Sequence, residues 1–165
     1  MLLAVLTVSD RCSQGLMTDT AGPAVVETLR RQYPEAEIEA AIVPDDERTI
    51  MATLEEWCGR GAALAVTVGG TGLGPRDRTP EATRRVIDRE APGLAEAMRS
   101  LSSARNPFAW LSRGVAGLKG RTLIVNLPGS ERGARESLES ILALIEHGVE
   151  VAAGSQEHPE ANGHS

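Results

Sequence analysis

An α/β domain of three layers, a mostly parallel sheet with helices on both faces, is the fold class the sequence predicts. Short, wholly apolar runs alternate along the chain with stretches of helical period. Each run stops at a polar or glycine-rich segment, as strands buried on both faces do when they emerge at one edge of a sheet. With 165 residues, 41% of them hydrophobic, the chain has enough apolar surface for one core and too few residues for two.

Leu2–Val8 reads as a buried strand that ends at Ser9, Asp10 and Arg11. Asp19 or Thr20 caps a helix over 21–33, with Pro23 tolerated in the first turn. Glu37–Val43 forms a second strand, closed by Pro44. Asp45 and Asp46 open a helix whose Ile50, Leu54, Trp57 and Cys58 share one face, a stripe that stops before Gly59 and Gly61. The third strand covers 62–68, and Thr79, Pro80 and Glu81 read as N-cap, first-turn proline and dipole-favoured acid of the next helix. A helical stretch over 93–103 and a less regular segment over 106–119 lead to a strand over 121–127. Pro128, Gly129 and Ser130 turn it into the clearest helix, with Leu138, Ile141, Leu142, Ile145 and Val149 on one face. The folded domain is expected over 1–153, and the polar, aperiodic tail 154–165 is expected to be disordered.

Composition excludes several functions. A net charge of -6 and only four aromatic residues argue against a nucleic-acid binder, which needs cationic surface and stacking platforms. No apolar run approaches the roughly 20 residues of a membrane span, and no basic segment precedes the first strand, so neither membrane insertion nor secretion is expected. Cys12 and Cys58 lack metal-ligand spacing and fit a reducing cytoplasm. An anionic ligand must therefore be held locally, by backbone N–H groups and a few placed cations.

The segment 69–78 is the most informative. Gly69, Gly70, Gly72 and Gly74 let the backbone approach a phosphate closely, although the spacing is neither a Walker A loop nor a dinucleotide fingerprint. Asp77 follows, flanked by Arg76 and Arg78. It has two readings, a helix-capping carboxylate or a ligand for Mg²⁺ bridging nucleotide phosphates. Asp45 and Asp46 share that ambiguity, one needed as a cap and the other spare. Ser9, Asp10 and Arg11 form either a surface ion-pair cluster or a phosphate contact. Ser130 both caps the last helix and opens an anion site at its N-terminus. All these segments follow strands and should meet at one sheet edge.

Thr7-Val8-Ser9-Asp10-Arg11, the spaced Ser13, Gly15, Asp19, Gly22 and Pro23, Val43-Pro44-Asp45-Asp46, Gly69-Gly70-Thr71-Gly72 with Arg76, Asp77, Thr79, Pro80, Glu81 and Ala82, and Asn126-Leu127-Pro128-Gly129-Ser130 occur in this order. Together they resemble the MogA/MoaB family and the G domain of gephyrin, over about residues 2–150. The resemblance implies a molybdopterin-binding fold, a cytoplasmic homotrimer, and transfer of AMP from ATP to molybdopterin with Mg²⁺, with a molybdenum insertase downstream; a noncatalytic pterin-binding or carrier module is the other reading. It implies that Asp45 and Asp77 are the catalytic, metal-binding acids. Gly69, Gly70, Thr71 and Gly72 fall on the nucleotide side, and Ser9 with Pro128, Gly129 and Ser130 on the pterin phosphate pocket. Asp10, Thr79, Pro80 and Glu81 complete the expected cofactor-binding set. Glu131 stands where many relatives have proline, adding a negative charge beside that pocket.

Overall fold

The computed structural model describes residues 1–155; nearly all of the expected tail lies outside them. Strands β1 (Leu2–Val8), β2 (Glu37–Val43), β3 (Leu64–Val68), β4 (Arg89–Glu90), β5 (Ala116–Lys119) and β6 (Thr122–Leu127) form one sheet in the order β2-β1-β3-β6-β5-β4. The first four in that order run parallel, whereas β5 and β4 are antiparallel. The helices are α1 (Asp10–Ser13), α2 (Ala21–Gln32), α3 (Glu47–Gly59), α4 (Thr79–Val86), α5 (Pro92–Ser103) and α6 (Glu131–Ala153), with a 3₁₀ turn at Pro107–Leu111.

Alternation of side chains along each strand divides the core into two layers. Leu3, Val5, Leu64, Val66, Leu123 and Val125 pack with Val25 and Leu29 of α2, Met98 of α5, and Leu138, Ile141 and Ile145 of α6. Ala4, Leu6, Ala65 and Ile124 face the other way, onto Ile50, Leu54 and Trp57 of α3 and Val86 of α4. Each such large side chain, fully buried, contributes roughly 1.5–3 kcal/mol, which holds the parallel strands in register and fixes where their carboxyl ends lie.

Two sequence expectations change. The segment read as irregular contains β5, which the sequence hides because Ala116-Gly117-Leu118-Lys119 is short and has no apolar run. Thr79 is the first residue of α4 and not its cap: its hydroxyl is buried and donates to the Gly69 carbonyl at 2.9 Å. The first cap of α2 also resolves, because Asp19 Oδ1 accepts from the Gly22 amide at 2.9 Å while Thr20 makes no side-chain cap bond.

Candidate functional site

Loops after β1, β2, β3 and β6 meet at the carboxyl edge of the parallel strands. Ser9 caps the one-turn α1, accepting from the Cys12 amide at 3.2 Å. Asp10 and Asp45 lock the first two loops reciprocally. The Asp10 amide donates to Asp45 Oδ2 at 2.8 Å, and the Asp45 amide to Asp10 Oδ1 at 3.0 Å. Arg76 grips Asp10 with Nε at 2.5 Å and Nη2 at 3.0 Å. Of the acid pair at the start of α3, Asp46 is the cap, accepting from the Thr49 amide at 2.9 Å, and Asp45 remains for the cleft. Burial, then the negative charges of Asp10 and Asp77, hold the Asp45 carboxyl above its ordinary range. The Arg76 hydrogen bond holds Asp10 below it.

The glycine loop owes its path to backbone that only glycine takes easily. Gly69 and Gly70 have φ of 103° and 65°, and a Cβ would lie 2.5 Å from the Val8 carbonyl oxygen or 2.3 Å from Thr79 Oγ1, respectively. Farther on, the Gly74 amide donates to Asp77 Oδ2 at 2.8 Å. Behind the loop stands Arg113, whose amide donates to the Thr71 carbonyl at 2.8 Å. Its Nε and Nη2 donate to the Gly72 and Asp77 carbonyls, each at 2.7 Å, and its Nη1 to the Glu81 carboxylate. Burial alone would push the Glu81 carboxyl up, but hydrogen bonds from Arg113 and from its own amide bring it below its ordinary value.

Two clefts open on either side of this loop and share Gly70, Asp77 and Gly129. The larger, about 580 Å³, has apolar walls at Met98, Phe108 and Leu111 and cationic ones at Arg99, Arg105 and Arg132, and reaches Ser130 at the start of α6. The smaller, about 250 Å³, is lined by Thr7, Ser9, Asp19, Thr20 and Asp45 among others. Asp45, Asp77, Gly69, Gly70 and Gly129 are thus brought together, with Thr71, Gly72, Pro128 and Ser130 opening only on the larger cleft. Ser9, expected beside 128–130, lies in the other cleft and is linked to them only through Gly129. Thr79, Pro80 and Glu81 line neither, and support the loop from behind.

Sequence reasoning missed Arg99, Arg105, Asn106, Phe108 and Arg113, which come from α5 and the segment after it. No glycine signature or strand end marks them; their common signal is a density of Arg and exposed apolar residues around an unassigned turn. Cys12 lies at the small cleft, but among the described residues no histidine lines either cleft to activate it. Among the described residues no group of three or more His, Cys, Asp or Glu is placed to hold a metal. Asp45 and Asp77, both half-buried and lining the smaller cleft together, do suit Mg²⁺, which takes one or two protein acids and completes its shell with phosphate oxygens and water.

Residues 4–147 match a family described as "Probable molybdopterin binding domain". The chain is 38% identical to the molybdenum cofactor synthesis protein cinnamon of Drosophila melanogaster over 96% of its length, but spans only 28% of that protein. It is 39% identical to the molybdopterin adenylyltransferase of Helicobacter pylori, covering 93% of this chain and 88% of that one. The crystal structure of the molybdopterin biosynthesis enzyme MoaB from Thermus thermophilus superposes with a TM-score of 0.85 at 47% identity, covering 93% of this chain and 97% of the other.

Proposed function

The chain belongs to the molybdopterin-binding domain family, and from that premise we propose that it is a molybdopterin adenylyltransferase of molybdenum cofactor biosynthesis. The observation that carries the reading is the placement of Asp45 and Asp77 at the junction of two clefts, beside a glycine loop and, among the described residues, with no histidine lining either cleft. A reaction run by positioning and charge neutralisation needs such a site. One run by a protein nucleophile does not.

The larger cleft takes molybdopterin, its apolar walls against the flat ring system and its terminal phosphate at Ser130 and the N-terminus of α6. Thr71 and Gly72, expected on the nucleotide side, therefore face the pterin, and Ser9, expected on the pterin side, faces the nucleotide. The smaller cleft, lined by hydroxyls and acids, takes the phosphate chain of ATP. An oxygen of the molybdopterin phosphate, already anionic at neutral pH, attacks the α-phosphorus of ATP. The bond from that phosphorus to the bridging oxygen of the β-phosphate breaks, and pyrophosphate leaves, so no general base is needed. Mg²⁺ held by Asp45 and Asp77 would supply neutralisation of charge on the departing pyrophosphate. Asp10, kept ionised by Arg76, fixes the Asp45 main chain.

The same reading makes the protein a cytoplasmic homotrimer handing its product to a molybdenum insertase, with residues 1–153 sufficient for transfer. Exposed Trp110 and Leu101, which line neither cleft, support self-association, and no described helix is long and apolar enough to cross a membrane. Incubation with molybdopterin, α-labelled ATP and Mg²⁺ tests the activity: label must pass to molybdopterin with release of pyrophosphate. Binding of molybdopterin without any transfer would leave only the carrier role.

A further inference from the structure

Arg113 lines neither of the two clefts that meet at Asp77, yet it is bonded to both ends of the turn that carries this acid. Its fork spans the Gly72 and Asp77 carbonyls, its amide takes Thr71, and Glu81, in the first turn of α4, holds the remaining guanidinium edge. Inside the turn only the Gly74 amide, at 2.8 Å, restrains the Asp77 carboxylate. The direction of that carboxylate therefore depends on the separation of the two carbonyls, which a rigid planar guanidinium fixes and a point charge does not.

We propose that Arg113 is a positioning residue that sets Asp77 for phosphoryl chemistry, with Glu81 orienting its guanidinium. The proposal rests on the AMP-transfer reading for its kinetic consequence but not for its geometry. Arg113→Lys keeps the charge and loses the fork. In the full chain it lowers kcat for AMP transfer by roughly tenfold or more, as small misplacements do, with the KM for molybdopterin changed by less than about twofold.

Two readouts separate positioning from general support. The first needs no substrate: the Gly74 amide proton shifts and exchanges faster in Arg113→Lys, measured by NMR. The second is a double-mutant cycle, in which Arg113→Lys costs less than about threefold further activity in an Asp77→Asn background, because its effect runs through Asp77. An unchanged Gly74 amide, or losses that multiply fully, would overturn the proposal. If the unmutated protein transferred no AMP, the functional reading would fall and the Gly74 amide alone would decide the positioning. Were Arg113→Lys to fold poorly, Glu81→Gln, which leaves the guanidinium in place but loosens its anchor, carries the same comparisons with smaller effects.

Discussion

The smaller cleft is walled by loops that directly follow β1, β2 and β3, whereas the larger takes most of its wall from α5, the 3₁₀ turn and the opening turns of α6. The first is polar and contains Asp19 and Asp45; the second mixes Phe108, Leu111 and Met98 with Arg99, Arg105 and Arg132. Parallel strands place the first by topology alone, since every parallel strand must release its chain at the same edge. The second depends on side chains reaching over from outside that edge, so its shape is free to differ while the fold stays the same.

The acid common to both clefts, Asp77, gives the largest effect that can break this division. Asp77→Asn should leave the fold intact by circular dichroism and cut AMP transfer by roughly two orders of magnitude or more, in line with the loss of a strong electrostatic contact. Near-normal transfer across a Mg²⁺ titration would return Asp77 to a purely structural part. A smaller effect should be confined to one side. Phe108→Ala removes an exposed ring from the larger cleft and should raise the KM for molybdopterin about threefold to tenfold, the KM for ATP staying constant, since one partly buried ring is worth about a kilocalorie per mole. A change in the ATP constant instead would show the ligands are assigned to the wrong clefts.

The smallest effect is on stability, and its sign is the informative part. The Asp45 carboxyl is raised by burial first, so the folded chain holds this proton more tightly than the unfolded chain does. Its favourable contribution is present at low pH and is lost as pH rises through the raised folded value. Asp45→Asn should then raise Tm at pH 7 by roughly 2 °C while lowering AMP transfer, a gain that disappears once the medium is acid enough to protonate the aspartate itself. Asp10 runs the other way: lowered by Arg76, its contribution is present above its unfolded value and fades as pH falls through the folded one. Thermal melts of both asparagine variants across acid pH read the two signs, and an Asp45→Asn variant less stable at pH 7 would mean that the carboxylate is better solvated than its surroundings indicate.

What the sequence made legible follows the same division. Ser9, Asp45 and Gly69 sit just after apolar runs and Asp77 lies in the loop that the third of those runs opens, and a parallel sheet leaves them only one place to go. The helix stripe at Leu138, Ile141 and Ile145 was equally plain, because its core contacts repeat with the helical period. Arg113 and Phe108 were not legible, because their roles arise from long-range contacts: Arg113 finds its partners 32 to 41 residues earlier in side-chain bonds that no local pattern announces. The antiparallel β4 and β5 escaped for a related reason, being two and four residues long and defined by their neighbour and not by their own composition.

Gly129 and Gly69 bring the backbones after β6 and β3 so close that a Cβ on Gly129 would stand 3.2 Å from the Gly69 Cα. The wall between the two clefts there is a single strand of main chain thick. Two ligands separated by so little become, once joined, one ligand with two grips, and release of either half leaves the other as a tether that returns it before it escapes. The molecule would thus retain its product far longer than either reactant, and the rate of a working cycle would be set by whatever collects that product. Stopped-flow release of adenylylated molybdopterin, compared with release of molybdopterin alone, measures that retention directly; equal rates would mean the two grips never close on the same molecule.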